Sequence, residues 1–178
     1  MLAAEENIDN LKSVGDAISR QGRNLLLLIN QILDVAKLKS NVPQCEYRHG
    51  DIVGYIYMIF DGARVLADRK NIHYRIYCRE NKIEMDFIPD YITKIVGNLI
   101  SNAIKYTPDE GDVIVFIETH DDKLILTVKD NGYGISPQDL PYIFDAFYQC
   151  NNNSRTIGSG IGLALVKQLV EAMNGTIT

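Results

Sequence analysis

Asn98, Asn102 and Lys105 recur at i, i+4 and i+7 within residues 95–108, IVGNLISNAIKYTP. On a helix that spacing puts all three on one face. A side-chain amide can offer its carbonyl oxygen to Mg²⁺, an ion that keeps waters and phosphate oxygens and takes only one or two protein ligands. Lys105 adds a point charge for the same phosphates. Ile95, Leu99, Ile100, Ala103 and Ile104 take up much of the remaining circumference and can enter a core. Two asparagines and a lysine suit a solvated helix face equally well, so this stretch alone leaves both readings open.

Two glycine-rich stretches follow. Asp130-Asn131-Gly132-Tyr133-Gly134-Ile135 comes directly after a strand-like run. Asn-Gly favours a tight hairpin turn. No third strand follows, however: Ser136-Pro137-Gln138-Asp139 offers a cap, a proline at the first helical position and an acid at the third, which predicts a helix. The glycines then lie between strand and helix, where a backbone can approach a ligand closely. Asp130 can accept a hydrogen bond from an exocyclic amine such as that of adenine.

The second stretch, Gly158-Ser159-Gly160-Ile161-Gly162, runs into Leu163, Ala164, Leu165, Val166, Leu169 and Val170. Free N–H groups at a helix start, aided by the helix dipole, attract phosphate. The GxGxG spacing with no preceding strand is not a dinucleotide fingerprint, and the Lys-Ser/Thr pair of a P-loop is missing. A glycine-rich connection without a ligand is the alternative. Between the loops, the polar run from Cys150 to Thr156 is expected to be mobile and placed to close over a bound nucleotide. Phe144 and Phe147 precede it and read as core anchors.

The elements that must position these residues are legible in outline. The 178 residues are 46% hydrophobic with a net charge of −5, which gives room for one full domain plus an appendage and suggests no nucleic-acid partner. Cys45, Cys78 and Cys150 form no CxxC pair, so neither a disulfide framework nor a zinc site is indicated, and a reducing cytoplasm fits. No apolar run approaches a membrane span, and no signal peptide is recognisable. Leu11, Val14, Ile18, Leu25, Leu28, Ile32 and Val35 form a heptad seam, widened by Ile29, Leu33 and Leu38. A helix so apolar needs partners, most simply a dimerising bundle, with an ordinary long core helix of this one domain as the alternative. Ser40, Asn41 and Pro43 end it.

Residues 51–68 predict an amphipathic helix capped by Asp51. Residues 72–79 and 83–87 predict two strands joined by Glu80-Asn81-Lys82. Pro89 opens the asparagine-bearing helix, and Pro108 with Gly111 closes it. Residues 113–119 and 123–129 predict a hairpin around His120-Asp121-Asp122. The sum is an α+β, two-layer sandwich with helices on one face of a mostly antiparallel sheet, preceded by a long helix. The expected division is 1–40 for the helical segment and 41–178 for the sandwich.

NLISNAIKYTP, DNGYGI, IFDAFYQ and GSGIGLALVKQLV occur in this order at spacings that resemble those of the sensor histidine kinases of two-component signalling. The likeness runs from about Gln44 to the end, and LLLLINQILDVAKLKS is similar to the second helix of that family's dimerisation hairpin. The version here looks most like the hybrid sensor kinases of Bacteroides-type bacteria. The resemblance implies the Bergerat-type ATP-binding fold, with ATP and Mg²⁺ as ligands. Asn102 would hold the metal with Asn98 assisting, Lys105 would contact phosphate, and Tyr106 would lie against adenine. Asp130 would bind the adenine amine, and Gly132, Gly134, Gly158, Gly160 and Gly162 would shape pocket and lid. Ile135, Phe147, Ser159, Ile161 and Leu163, within the same motifs, complete the implied set. The implied partners are a second copy, through the helical segment, and a response-regulator receiver domain. The implied location is the cytoplasmic side of an inner-membrane sensor.

Two departures qualify this. His49, His73 and His120 all lack the H-[ED]-x-[RK]-x-P context of the family's acceptor histidine, so the acceptor is expected upstream of Met1 and self-phosphorylation of this chain is not expected. The chain also ends at Gly175-Thr176-Ile177-Thr178, where the family would continue a strand and add another, leaving an expected open sheet edge. Two other functions compete. ATPases resembling gyrase, the heat-shock chaperones or the mismatch-repair proteins carry Glu four residues before the metal-binding Asn. Here that position is Asn98, whose amide cannot act as a general base near neutral pH. A non-catalytic, nucleotide-binding dimerisation module is the third possibility.

Overall fold

The computed structural model describes residues 46–150 and 159–178, with helical residues at 14–15, 18–19, 21–22, 25–26 and 28–33. Gly158, the run 151–156, Leu11, Val35, Leu38 and the expected linker lie outside these. Of the heptad seam, Val14, Ile18, Leu25 and Ile32 are helical and exposed.

Strand β1 (Arg48–Asp51) leads directly into helix α1 (Ile52–Gly62). Asp51 caps α1 as expected, its carboxylate accepting from the Val53 N–H at 3.1 Å and also from the Ile83 N–H at 3.2 Å. Ile52, Val53, Ile56 and Phe60 make the buried stripe. The single helix expected over 51–68 is broken: α1 stops at Gly62, and a short α2 (Arg64–Asp68) follows, with Ala67 fully buried. Gly62 gives the turn no side chain and Ala63 only a methyl, packed against the core, and the Ala63 N–H turns back to Phe60 O.

The expected pairing of the next two strands is corrected. Strand β2 (His73–Cys78) and strand β3 (Glu84–Phe87) belong to different sheets. β3 pairs antiparallel with β1, Arg48 opposite Phe87. β2 pairs parallel with β4 (Asp112–His120), His73 opposite Asp112, and β4 pairs antiparallel with β5 (Lys123–Asp130). Asp121 and Asp122 both take positive φ, as a two-residue hairpin turn with the strand's own twist requires.

Helix α3 (Pro89–Tyr106) crosses one face of the β2-β4-β5 sheet beside α1. Ile92, Val96, Ile100, Ala103 and Ile104 join Ile56, Phe60, Val113, Val115 and Ile117 in one core. On its other side, Ile88, Tyr91 and Ile95 pack with Leu165, Val166 and Leu169 of α4 (Gly162–Ala172), and Leu99 packs against that cluster. α3 is therefore shared by two apolar clusters, which leaves only a narrow strip of it for polar residues. Fully burying one such side chain is worth about 1.5–3 kcal/mol, so two clusters hold this helix far more firmly than its propensity would.

The helix expected after Ser136 does not form. Its cap does: the Ser136 and Asp139 side chains bond at 2.8 Å, and the Asp139 N–H reaches Ser136 Oγ at 3.2 Å. Only a 3₁₀ turn at Leu140–Tyr142 follows, because Pro141 ends the usable run of amide donors.

Candidate functional site: one helix strip between two glycine loops

Asn98, Asn102 and Lys105 occupy the narrow strip that the two clusters leave, and all three are half-buried. Asn98 Nδ2 donates back to Lys94 O at 2.6 Å, which fixes the amide. Its Oδ1 then faces the second glycine loop: a Cβ on Gly162 would come within 2.8 Å of it. Lys105 Nζ lies 3.1 Å from the Tyr106 hydroxyl and 4.7 Å from that ring's centroid, so cation and aromatic face form one unit at the helix end.

The first glycine loop docks on the same end. Tyr133 N–H donates to Tyr106 O at 3.3 Å. Gly132 lies so close that a Cβ there would sit 2.6 Å from Tyr106 O, which explains the glycine by crowding rather than by φ. Asp130 Oδ1 accepts from the Gly132 N–H at 2.9 Å, which orients the carboxylate. Asn131, which the motif reading passed over, straps the loop to the sheet: its Oδ1 accepts from Asp112 N at 2.7 Å, and its Nδ2 donates to Asp112 Oδ2 at 3.0 Å. Gly134 takes φ +70° in open space, and Ile135 is exposed beside it.

At the second loop, Gly160 takes φ +68°, and a Cβ there would strike the backbone of Phe147 and Tyr148. The Phe147 N–H donates to Gly160 O at 2.8 Å, joining the stretch before residues 151–158 to the stretch after them. Phe147 is no core anchor: it is 63% exposed at φ +69°, the backbone having turned outward to make that bond. Phe144 is half-buried, with Lys167 Nζ 5.9 Å from its ring centroid. Ile161 is buried and Leu163 half-buried at the start of α4. Ser159 Oγ accepts from the Ile161 N–H at 3.3 Å and donates to Gln31 Oε1 of the N-terminal helix at 3.0 Å, a contact that spans most of the chain.

Sequence reasoning also passed over a polar knot between the loops. Tyr148 Oη donates to Asp139 Oδ1 at 2.6 Å, on the carboxylate that Ser136 already holds. These two hydrogen bonds, Tyr148 foremost, hold the Asp139 carboxyl below its usual range, and the same bond pushes the Tyr148 hydroxyl up to about 12. The three histidines sit on β1, β2 and the last position of β4, with His49 Nδ1 2.8 Å from Asp86.

The arrangement is thus a helix strip with an amide at one end, a cation and aromatic ring at the other, and a glycine loop against each. Residues 88–178 match the family described as histidine kinase-, DNA gyrase B-, and HSP90-like ATPase, and the chain belongs to that family. Within it, the relatives matched are sensor kinases, and the fold is that of a sensor histidine kinase's ATP-binding catalytic domain. The chain is 30% identical over 157 residues to the sensor histidine kinase WalK of Bacillus subtilis, covering 86% of this chain and 26% of WalK. It is 32% identical over 162 residues to the sensor protein CiaH of Streptococcus pneumoniae, covering 88% of this chain and 35% of CiaH. Full-length ShkA, crystallised in complex with AMPPNP, superposes with a TM-score of 0.78 at 27% identity, over 92% of this chain and 34% of ShkA. The chain spans about a third or less of the length of each of these relatives.

Proposed function

We propose that this chain binds Mg·ATP along the α3 strip and presents the γ-phosphoryl group to a histidine on the dimerisation hairpin, from which a receiver-domain aspartate takes it. The observation that carries the reading is the bracketing of α3. Gly162 abuts Asn98 and Gly132 abuts Tyr106, eight residues apart, or about 12 Å along a helix axis. That is the kind of reach a nucleotide spans from phosphates to base, and Asn102 lies midway. Tyr106 and Asp130 form the base end, the first by stacking and the second by accepting the exocyclic amine. The start of α4 and Gly160 form the phosphate end, where amide N–H groups meet negative charge.

The donor set fits Mg²⁺. Asn102 is half-buried on the strip and carries an amide oxygen, with Asn98 one turn away, and one or two such ligands suffice when phosphates and water fill the rest. The ion, when bound, neutralises charge on the phosphates. The residues themselves do the positioning: Lys105 supplies positive charge from the strip toward the phosphates, and the glycine loops admit the backbone to close range. Asn98 cannot take a proton from water, so the strip favours a nucleophile that needs no activation, such as imidazole, over hydrolysis. The N-terminal segment, 1–40, supplies the second hairpin helix and pairs two copies in a parent anchored at the inner membrane, with 41–178 facing the cytoplasm. The Gln31–Ser159 bond supports its place beside the phosphate end.

Titration calorimetry with a non-hydrolysable ATP analogue tests the site. Asn102→Ala should weaken binding about tenfold with Mg²⁺, the loss of one charge-assisted contact, and change little with a chelator present. Equal affinity for both proteins in Mg²⁺ removes Asn102 from the metal site.

A further inference from the structure

Taking the nucleotide site as read above, we infer that Lys70, which belongs to neither glycine loop nor to α3, is a positioning residue for it. Its ammonium closes the C-terminal end of α3 and so sets where Lys105 and Tyr106 stand.

The accounting of carbonyls at that end makes the case. The last four carbonyls of a helix have no partner within it. Residues 104–107 all find one elsewhere. Lys70 Nζ donates to Ile104 O at 2.9 Å, to Lys105 O at 3.3 Å and to Thr107 O. An ammonium has three N–H donors, and all three are used. Of the four carbonyls only Tyr106 O is left, and that is the one the first glycine loop takes through Tyr133 N–H. Lys70 thus selects the docking point of the loop by occupying the alternatives.

The lysine is itself held from both sides. Its carbonyl accepts from Glu110 N–H at 2.8 Å, and its N–H donates to Ala67 O at 3.0 Å, so its backbone bridges α2 and the turn that follows α3. The side chain is half-buried, and Thr107 beneath it is fully buried. A positive charge here also sits at the negative end of the α3 dipole. Without it, three carbonyls at the base end of the site compete for water and for the Tyr133 amide, and the Lys105–Tyr106 unit loses its fixed position.

The test uses the full chain, AMP-PNP with Mg²⁺, and calorimetry at a temperature where circular dichroism shows every variant folded. Lys70→Met keeps the stem and removes the donors; it should bind about tenfold more weakly, the cost of freeing helix-end carbonyls next to the site. Its loss and that of Lys105→Ala should not multiply in the double variant, because part of what Lys70 positions is then absent. If Lys70→Met does not fold, Lys70→Gln, which keeps two donors, carries the measurement with about a threefold expected loss. A lower melting temperature with unchanged affinity, or losses that multiply, makes Lys70 a structural cap only and overturns the inference. A wild type that binds no nucleotide overturns the nucleotide reading and this inference with it. Binding by wild type with equal binding by the Lys70 variant overturns this inference alone.

Discussion

Among individual residues, the Asp139–Tyr148 pair gives the sharpest handle on the segment between the two glycine loops. The two shifts run in opposite directions, and each has its own window. Asp139 titrates lower in the folded chain than unfolded, so its contribution is complete above the ordinary carboxylate range and is lost as pH falls through the lowered value. Tyr148 titrates higher, so its contribution is complete below the ordinary tyrosine value and is lost as pH rises through about 12. The tie therefore holds across neutral pH. Tyr148→Phe should return Asp139 toward the ordinary carboxylate value, because the first of its two hydroxyl partners is gone. Carboxyl-carbon NMR titration reads this directly, and an unmoved Asp139 would show that Tyr148 does not set the shift. None of this was legible from spacing: Ser136 and Asp139 announced a cap, but Tyr148 meets them only because the intervening segment turns back in a 3₁₀ turn instead of extending as a helix.

At the scale of elements, α3 is the part that has to be right, and its two apolar faces are distinguishable by mutation. Ile100 and Leu165 are each 1% exposed, the first in the sheet-facing cluster and the second in the cluster with α4. Truncating either to Ala should cost about 2–5 kcal/mol. The functional consequences should differ. Leu165→Ala loosens the phosphate end, through α4 and its glycine loop, whereas Ile100→Ala acts on the whole domain. Denaturant unfolding beside nucleotide affinity separates them: Leu165→Ala should lose affinity out of proportion to its stability, and equal proportions in both variants would argue against α4 as an independent arm of the site. Helices α3 and α4 and the β4–β5 hairpin were readable because their apolar periods are local. β1 was not, since Arg48-His49-Gly50-Asp51 has no apolar alternation and exists only by pairing with β3 far along the chain. Lys70 was silent for a similar reason, because a capping donor carried in from a remote loop leaves no trace in spacing.

Taken as a whole molecule, the fold turns on a parallel pairing of β2 with β4 that brackets α3, with β5 antiparallel on the far side of β4 and β1–β3 forming a separate antiparallel pair. Pattern alone joined β2 to β3, because neighbours in sequence are the default partners; the core instead demands that α3 run between β2 and β4. The same topology brings both glycine loops against one helix, one near each end of its polar strip, although about 25 residues separate them in sequence and no local signal relates one to the other. Because α3 is common to both clusters, the molecule has no way to expose its amides short of losing both at once. In deuterium exchange, the amides from Ile92 to Ala103 should be among the slowest, while those at the start of α4 exchange sooner. Fast exchange along α3 would mean that one cluster can melt by itself. The rigid partner in ligand capture is then the central helix, and adaptation to a nucleotide falls to the two loops that lean on it from opposite ends.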